Sequence, residues 1–357
     1  MTAPFGVYVH IPFCAKRCDY CAFATFTDRF HLESAYVDAV LADIERCIAD
    51  GSLRVATSVF VGGGTPSIID PHHLARIISA IPVADGVEIT VECNPDTVSP
   101  ELFDIYVAAG VNRISFGVQS MVPDVLEALG RTHDPDGVSD AVSQARAAGI
   151  DRLNLDLIYG GAGESLEQWR TTIDRTIELA PDHVSAYALT VEAGTPLADD
   201  PSRHPDDDDQ ADKYLLADRL FSAAGLVNYE ISNWAAPGQE CSHNLLYWRQ
   251  GDYLGFGSGA HSHDDGRRWW NVRTPDRYIE RIVAGESPES SSETLDPDRR
   301  RIEGLQLSLR TVEGVPSESL AEDDIDDLDG LIIQDGDRLR LTIEGRLLAN
   351  EVAVRLR

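Results

Sequence analysis

The chain has 357 residues, of which 43% are hydrophobic, and carries a formal charge of −30. This composition belongs to a globular protein, and the length predicts one large domain with smaller additions. Acidic runs at Asp206–Asp209 and Glu322–Asp329 repel phosphate backbones, which excludes nucleic acid and anionic membranes as the main partner. No apolar run reaches the roughly 18 residues a membrane span needs. The stretch Met1–Gly6 lacks the basic and apolar pattern of a secretory leader, so the cytoplasm is the expected compartment. Thiols stay reduced there, and three of the six cysteines crowd into Cys14–Cys21, which reads as metal binding and not as disulfides.

Short β-branched runs alternate with helical patterns up to about residue 190. Strands are predicted at Gly6–Ile11, Thr57–Val61, Val87–Glu92, Arg113–Gly117, Arg152–Leu157 and His183–Ala186. Helices are predicted at Leu32–Ala49, Leu74–Ile81, Pro100–Ala109, Pro135–Ala148 and Leu166–Leu179. Six such units imply an α/β fold built on a parallel sheet, curved into a partial (βα)6 barrel. A long helix, Asp207–Ala224, follows. The Gly- and aromatic-rich stretch Asn228–Gly266 has no clear period, and the Ser/Glu-rich Glu286–Glu293 reads as a loop. Beyond Leu295 a hairpin at Leu331–Leu341 and a last helix at Ile343–Val354 suggest a small α+β, winged-helix-like domain. The expected division is therefore 1–195, 196–290 and 291–357.

Directly after the first predicted strand comes His10-Ile-Pro-Phe-Cys14-Ala-Lys-Arg-Cys18-Asp-Tyr-Cys21, a C-x3-C-x2-C spacing. Iron–sulfur clusters normally take four thiolates. Here Phe23 stands where a fourth would fall, and a three-thiolate site leaves one iron open to a chelating substrate. The competing reading is zinc, with His10 or a distant residue as fourth ligand, although structural zinc usually pairs its cysteines in separate knuckles. The second strand runs into Gly62-Gly63-Gly64-Thr65-Pro66, where backbone N–H groups can approach a ligand closely. Glu92, Gln119 and Asp156 lie at the C-terminal ends of successive strands, the rim on which barrel enzymes build sites.

These motifs, in this order, resemble the radical S-adenosylmethionine (SAM) superfamily, and within it the oxygen-independent coproporphyrinogen III oxidase group. The resemblance covers nearly the whole chain. It implies a [4Fe–4S] cluster on Cys14, Cys18 and Cys21 whose open iron binds SAM, and whose reduction splits the sulfonium to a 5′-deoxyadenosyl radical. Tyr8, Tyr20, Gly63, Gly64, Thr65, Glu92, Gln119, Arg131 and Asp156 match positions that contact SAM in that group. Gln119, Arg131 and Asp156 serve a second SAM in the oxidases. Gly255–Gly259 lies near the SAM site in the family, and without a surrounding βαβ unit it is not a dinucleotide fingerprint. Gly160–Gly163 departs from the family's more usual Gly-Leu-Pro.

Two branches of the group compete. Oxidases carry a fourth cysteine after the trio and a long extension before it; this chain has Phe23, and Cys14 lies near its start. Both departures resemble the heme-chaperone branch. So does the H-N-x-x-Y-W motif His243-Asn244-Leu-Leu-Tyr247-Trp248, associated there with heme binding. His243 is the first candidate axial ligand, with Tyr247 and Cys241 as alternatives. The competing reading is that His243 and Asn244 hold the stretch together by hydrogen bonds while Tyr247 and Trp248 pack. The resemblance implies a protein that delivers heme to acceptor hemoproteins, those of the respiratory chain among them, and leaves open a transient membrane association and a homodimer. The alternative is an enzyme that decarboxylates coproporphyrinogen III to protoporphyrinogen IX.

Overall fold

The computed structural model describes residues 3–131 and 133–356; Met1 and Thr2 of the N-terminal reading lie outside them. Six strands bear out the predicted βα units: β1 (Phe5–Ile11), β2 (Ala56–Gly63), β3 (Val83–Cys93), β4 (Arg113–Gln119), β5 (Arg152–Tyr159) and β6 (His183–Ala188). All pair in parallel in that order. Helices α1 (Glu33–Ala49), α2 (Pro71–Ala80), α3 (Pro100–Ala108), α4 (Pro123–Ala128), α5 (Pro135–Ala147) and α6 (Leu166–Glu178) make the crossovers, and α7 (Asp207–Ala223) follows β6. Their starts are written in the sequence. Asp70, Ser99, Asp134, Ser165 and Asp206 each accept a backbone N–H of the first turn, and α2, α3 and α5 open on proline.

The stretch without a clear period folds into short elements that complete the sheet. It contains β7 (Val227–Glu230), β8 (Asn233–Ala235), α8 (Ser242–Trp248), β9 (Asp252–Phe256) and β10 (His261–Asp264), with β11 (Arg267–Asn271) just beyond it. β9 lies parallel to β1 on the side away from β2, so the parallel portion has one strand more than the expected six. The predicted loop at Glu286–Glu293 is mostly strand, β12 (Glu289–Thr294). Nearly all of it is exposed, so no apolar alternation marks it. Pairing with β11 and the Arg268–Glu293 cross-strand ion pair (2.8 Å) hold it in place. The finished sheet has twelve strands, with antiparallel β10–β12 at one edge and β8–β7 at the other.

Strand alternation divides the parallel sheet into two unlike faces. Val7, Val9, Val59, Val61, Ile89, Val91, Ile114, Phe116, Leu153, Leu155 and Val184 belong to one continuous buried core with residues of the crossover helices. The alternate positions are polar: His10, Ser58, Glu88, Thr90, Arg113, Ser115, Asn154, His183 and Ser185 are all buried. This second face carries the candidate site.

Beyond α9 (Pro275–Val283) and α10 (Pro297–Ser308) comes a separate three-stranded sheet of β13 (Val315–Pro316), β14 (Ile332–Asp335) and β15 (Arg338–Leu341). It accompanies α11 (Glu322–Asp327), and the expected final helix breaks at Leu348 into α12 (Ile343–Leu347) and α13 (Ala349–Arg355). Leu305, Leu309, Val315, Leu320, Leu328, Leu339, Val352 and Leu356 form its own core. Among the described residues no helix is long and apolar enough to cross a membrane.

Phe116, fully buried in β4 and edge-to-face with Phe103, is a direct probe of the main core. Phe116→Ala is expected to cost about 3–5 kcal/mol and, for a chain of this length, to lower the thermal midpoint by about 4–7 °C; calorimetry checks it.

Candidate radical SAM site

Backbone hydrogen bonds clasp the cysteine loop onto the sheet. Cys14 N–H donates to the Phe26 carbonyl (3.1 Å) and Phe26 N–H to that of Pro12 (2.7 Å). From the neighbouring strand, Gly64 N–H donates to Ile11 (2.7 Å) and Thr65 N–H to Phe13 (2.8 Å). The glycines are required by this contact. A Cβ at Gly64 would lie 2.5 Å from the Phe13 carbonyl oxygen and 3.0 Å from Cys14 Sγ. Gly63 has φ +110°, and a Cβ there would meet the His10 ring at 2.5 Å.

All six cysteines are free. The Thr65 hydroxyl donates to Cys14 Sγ (3.6 Å) and Arg131 Nη1 to Cys18 Sγ (3.6 Å). Burial pushes the Cys14 and Cys21 thiols up, and the other sulfurs of the trio push further. Two thiols raised in this way ionise readily only beside added positive charge, which suits metal-bound thiolates. No three His, Cys, Asp or Glu side chains among the described residues gather as a single-ion site requires. His10, the fourth zinc ligand considered, is committed elsewhere: Nδ1 to the Tyr8 hydroxyl (3.0 Å) and Nε2 to the Ala24 carbonyl (3.0 Å).

Around the loop, the strand ends bring the rim residues together. Glu92 accepts Gly63 N–H (3.1 Å). Burial first, then the facing Asp156, pushes its pKa up to about 8. Burial also raises Asp156, against hydrogen bonds from Ser115 (2.7 Å) and Asn154 (2.8 Å). Gln119 sits at φ +64°, beside an irregularity in the β4–β5 register; such strain in a non-glycine residue is typical of ligand sites. Arg131 holds the Gly117 carbonyl (2.8 Å) and Asn94 Oδ1 (2.9 Å). Tyr20 lies with Cys18 and Arg131, its phenol pushed up by burial. Asn94 and Ser115 were not singled out from the sequence; Asn94, directly after the β3 end, carried the same positional signal as Glu92.

The H-N-x-x-Y-W motif forms α8, seated on the polar face of the sheet. Glu88 of β3 accepts the backbone N–H groups of Ser242 (3.1 Å) and His243 (3.1 Å), an acidic cap on the helix start. Burial alone would raise Glu88; Arg113, Arg152 and these N–H groups hold it below the usual range. His243 is 1% exposed. Its Nδ1 bonds Ser58 (2.9 Å), its Nε2 the Tyr247 hydroxyl (2.8 Å), and its ring stacks on Phe60. Both ring nitrogens are engaged in these bonds, and the ring fastens α8 to β2. Cys241 is fully buried against Glu88, and the Tyr247 phenol is bonded to His243.

Beside the cysteine loop lies a cavity of about 800 Å³, within the range of small-molecule sites. Tyr8, His10 and Ala22–Ala24 form one wall; Tyr247, Tyr253, His261, Trp270 and Arg273 line others. Phe23, 67% exposed, stands at its edge.

Replacing Cys14, Cys18 or Cys21 by Ser is expected to abolish iron and sulfide incorporation while circular dichroism stays unchanged; full metal content in any variant would contradict the ligand set. Glu92 makes a pH prediction. Its folded pKa is raised, so between about 4.5 and about 8 the folded chain keeps a proton that the unfolded chain has released. Stability therefore falls as pH rises through that window. Glu92→Gln should flatten this part of the thermal-midpoint profile.

A model of the radical SAM superfamily matches residues 8–176. The chain is 41% identical over 371 aligned residues to the heme chaperone HemW of Mycobacterium tuberculosis, spanning 98% of this chain and 94% of that one. It is 36% identical to the heme chaperone HemW of Escherichia coli, spanning 98% and 97%. The solved structure of coproporphyrinogen III oxidase (HemN) from Escherichia coli superposes with a TM-score of 0.86 over 99% of this chain and 90% of that one, at 23% identity, a likeness of fold alone. By its sequence identity to these chaperones along nearly the whole length, the chain belongs to the HemW family of the radical SAM superfamily.

Proposed function

We propose that this protein binds heme in the cavity beside the cysteine loop and passes it to acceptor hemoproteins. In this reading Cys14, Cys18 and Cys21 hold a [4Fe–4S] cluster, and the strand-end rim holds SAM. The observation that carries the reading is the cavity itself. It is large, lined with aromatic rings and walled by Ala22–Ala24 of the cysteine loop, in a chain whose relatives over its full length are heme chaperones.

Held by Cys14, Cys18 and Cys21, a cluster would supply reducing power for SAM, while the surrounding side chains bind and shield. The Glu92 carboxyl suits a ligand amino or hydroxyl group. The Arg131 guanidinium, already close to Cys18 Sγ, stabilises negative charge on the sulfurs. Tyr8, Tyr20, Gln119 and Asp156 complete the SAM contacts. Phe23 takes the place of the fourth cysteine of oxidases, and its exposed ring offers a flat apolar surface where those enzymes have a thiol.

Anaerobic incubation of cluster-loaded protein with SAM, a reductant and coproporphyrinogen III, followed by porphyrin chromatography, separates the two branches. The chaperone reading expects no decarboxylated product and, in a parallel sample loaded with heme, transfer to an apo-hemoprotein. Accumulation of protoporphyrin would make the chain an oxidase.

A further inference from the structure

We propose that His261, at the start of β10, is the iron ligand for heme in this cavity. The assignment rests on the heme-binding reading above and follows from which ring nitrogens are free. Three histidines line the cavity: His10, His261 and His263. His10 is spent on Tyr8 and Ala24. His263 is 5% exposed, its Nδ1 on the Gly251 carbonyl (3.0 Å) and its Nε2 accepting Gly266 N–H (3.1 Å). No hydrogen bond among the described residues engages the ring of His261, and the residue is exposed.

Its position is nevertheless well fixed. The imidazole stacks on Trp270 at 5.7 Å with 25° between planes. β10 is hydrogen-bonded to strands on both sides, and the His261 carbonyl oxygen lies 2.1 Å from where a Cβ of Gly255 would be. Gly255 thus lets β10 press against β9, which places the ring without tying up its nitrogens. The cavity walls, then the Arg268 guanidinium, push its pKa down, which favours the neutral, ligating form at neutral pH. Tyrosinate ligation is disfavoured, because burial pushes the Tyr247 and Tyr253 phenols up.

The same wall offers an anchor for porphyrin carboxylates. Arg268 is already paired with Glu293 and Glu303. Arg273 has no carboxylate partner among the described residues and donates only to the Ala22 carbonyl (3.1 Å), one residue beyond Cys21. An iron porphyrin ligated by His261 and held through a propionate by Arg273 would therefore touch the segment that leaves the cysteine trio.

The test titrates hemin into cluster-loaded wild type and His261→Ala, following difference absorbance and the ferric-heme electron paramagnetic resonance signal. Competition with apomyoglobin gives affinity. The expected result is one heme per wild-type chain with an imidazole-ligated signal. His261→Ala should lose that signal and at least tenfold in affinity, with both restored by added imidazole. Wild-type affinity and signal in His261→Ala would overturn the ligand assignment and leave heme binding standing. A wild-type chain that takes up no heme would overturn both.

Discussion

The site depends on how closely two backbones approach each other. The turn after β2 lies against the loop after β1 through two N–H to carbonyl bonds, Gly64 to Ile11 and Thr65 to Phe13. A side chain at Gly64 would collide with both carbonyls and approach Cys14 Sγ within 3.0 Å. The glycine run thus seats Cys14 against the sheet. It also lets the His10 ring fill the space a Cβ of Gly63 would take, and His10 in turn pins Ala24 at the end of the cysteine segment.

A second constraint sets the rest of the site. The parallel sheet hides one apolar face under helices and turns a polar face toward the site. Burying polar side chains is costly unless each is hydrogen-bonded, and this face is densely cross-linked: Ser115, Asn154, Asp156, His183 and Ser185 form one network. At the N-terminal part of the same face Glu88 and Ser58 take up α8. The H-N-x-x-Y-W helix is therefore a plug against the sheet, and Tyr247, held by His243, is the member of the motif that lines the cavity. If heme binding depends on this motif, the dependence runs through cavity shape.

Much of this was legible in the sequence. The six βα units follow from short β-branched runs alternating with helical patterns, and the C-x3-C-x2-C spacing with the glycine run marks the candidate site. What escaped has physical causes. β9 is five residues long, and its partner β1 lies more than 240 positions away in the chain, so no local pattern marks it. β12 is a strand because β11 pairs with it; Ser291 and Ser292 carry no strand preference. The hydrogen-bond partners of the histidines were hidden for a related reason. Which histidine has a free nitrogen depends on Ser58 and Tyr247 for His243, whereas no described residue hydrogen-bonds the ring of His261. That is a fact of tertiary placement. The polar positions within β2–β5 sit among the β-branched residues that mark each strand, and only those at the strand ends stand out in the sequence.

The dependence of the site on the glycine–cysteine contact is tested most directly by Gly64→Ala, reconstituted anaerobically beside wild type, with iron and sulfide per chain measured together with circular dichroism. The account predicts native secondary structure with markedly reduced cluster content, because the new methyl group forces the Phe13–Cys14 backbone away. Wild-type iron and sulfide in Gly64→Ala would contradict it, and would mean that the cysteine loop reaches its cluster-holding position without the close approach of the β2 turn.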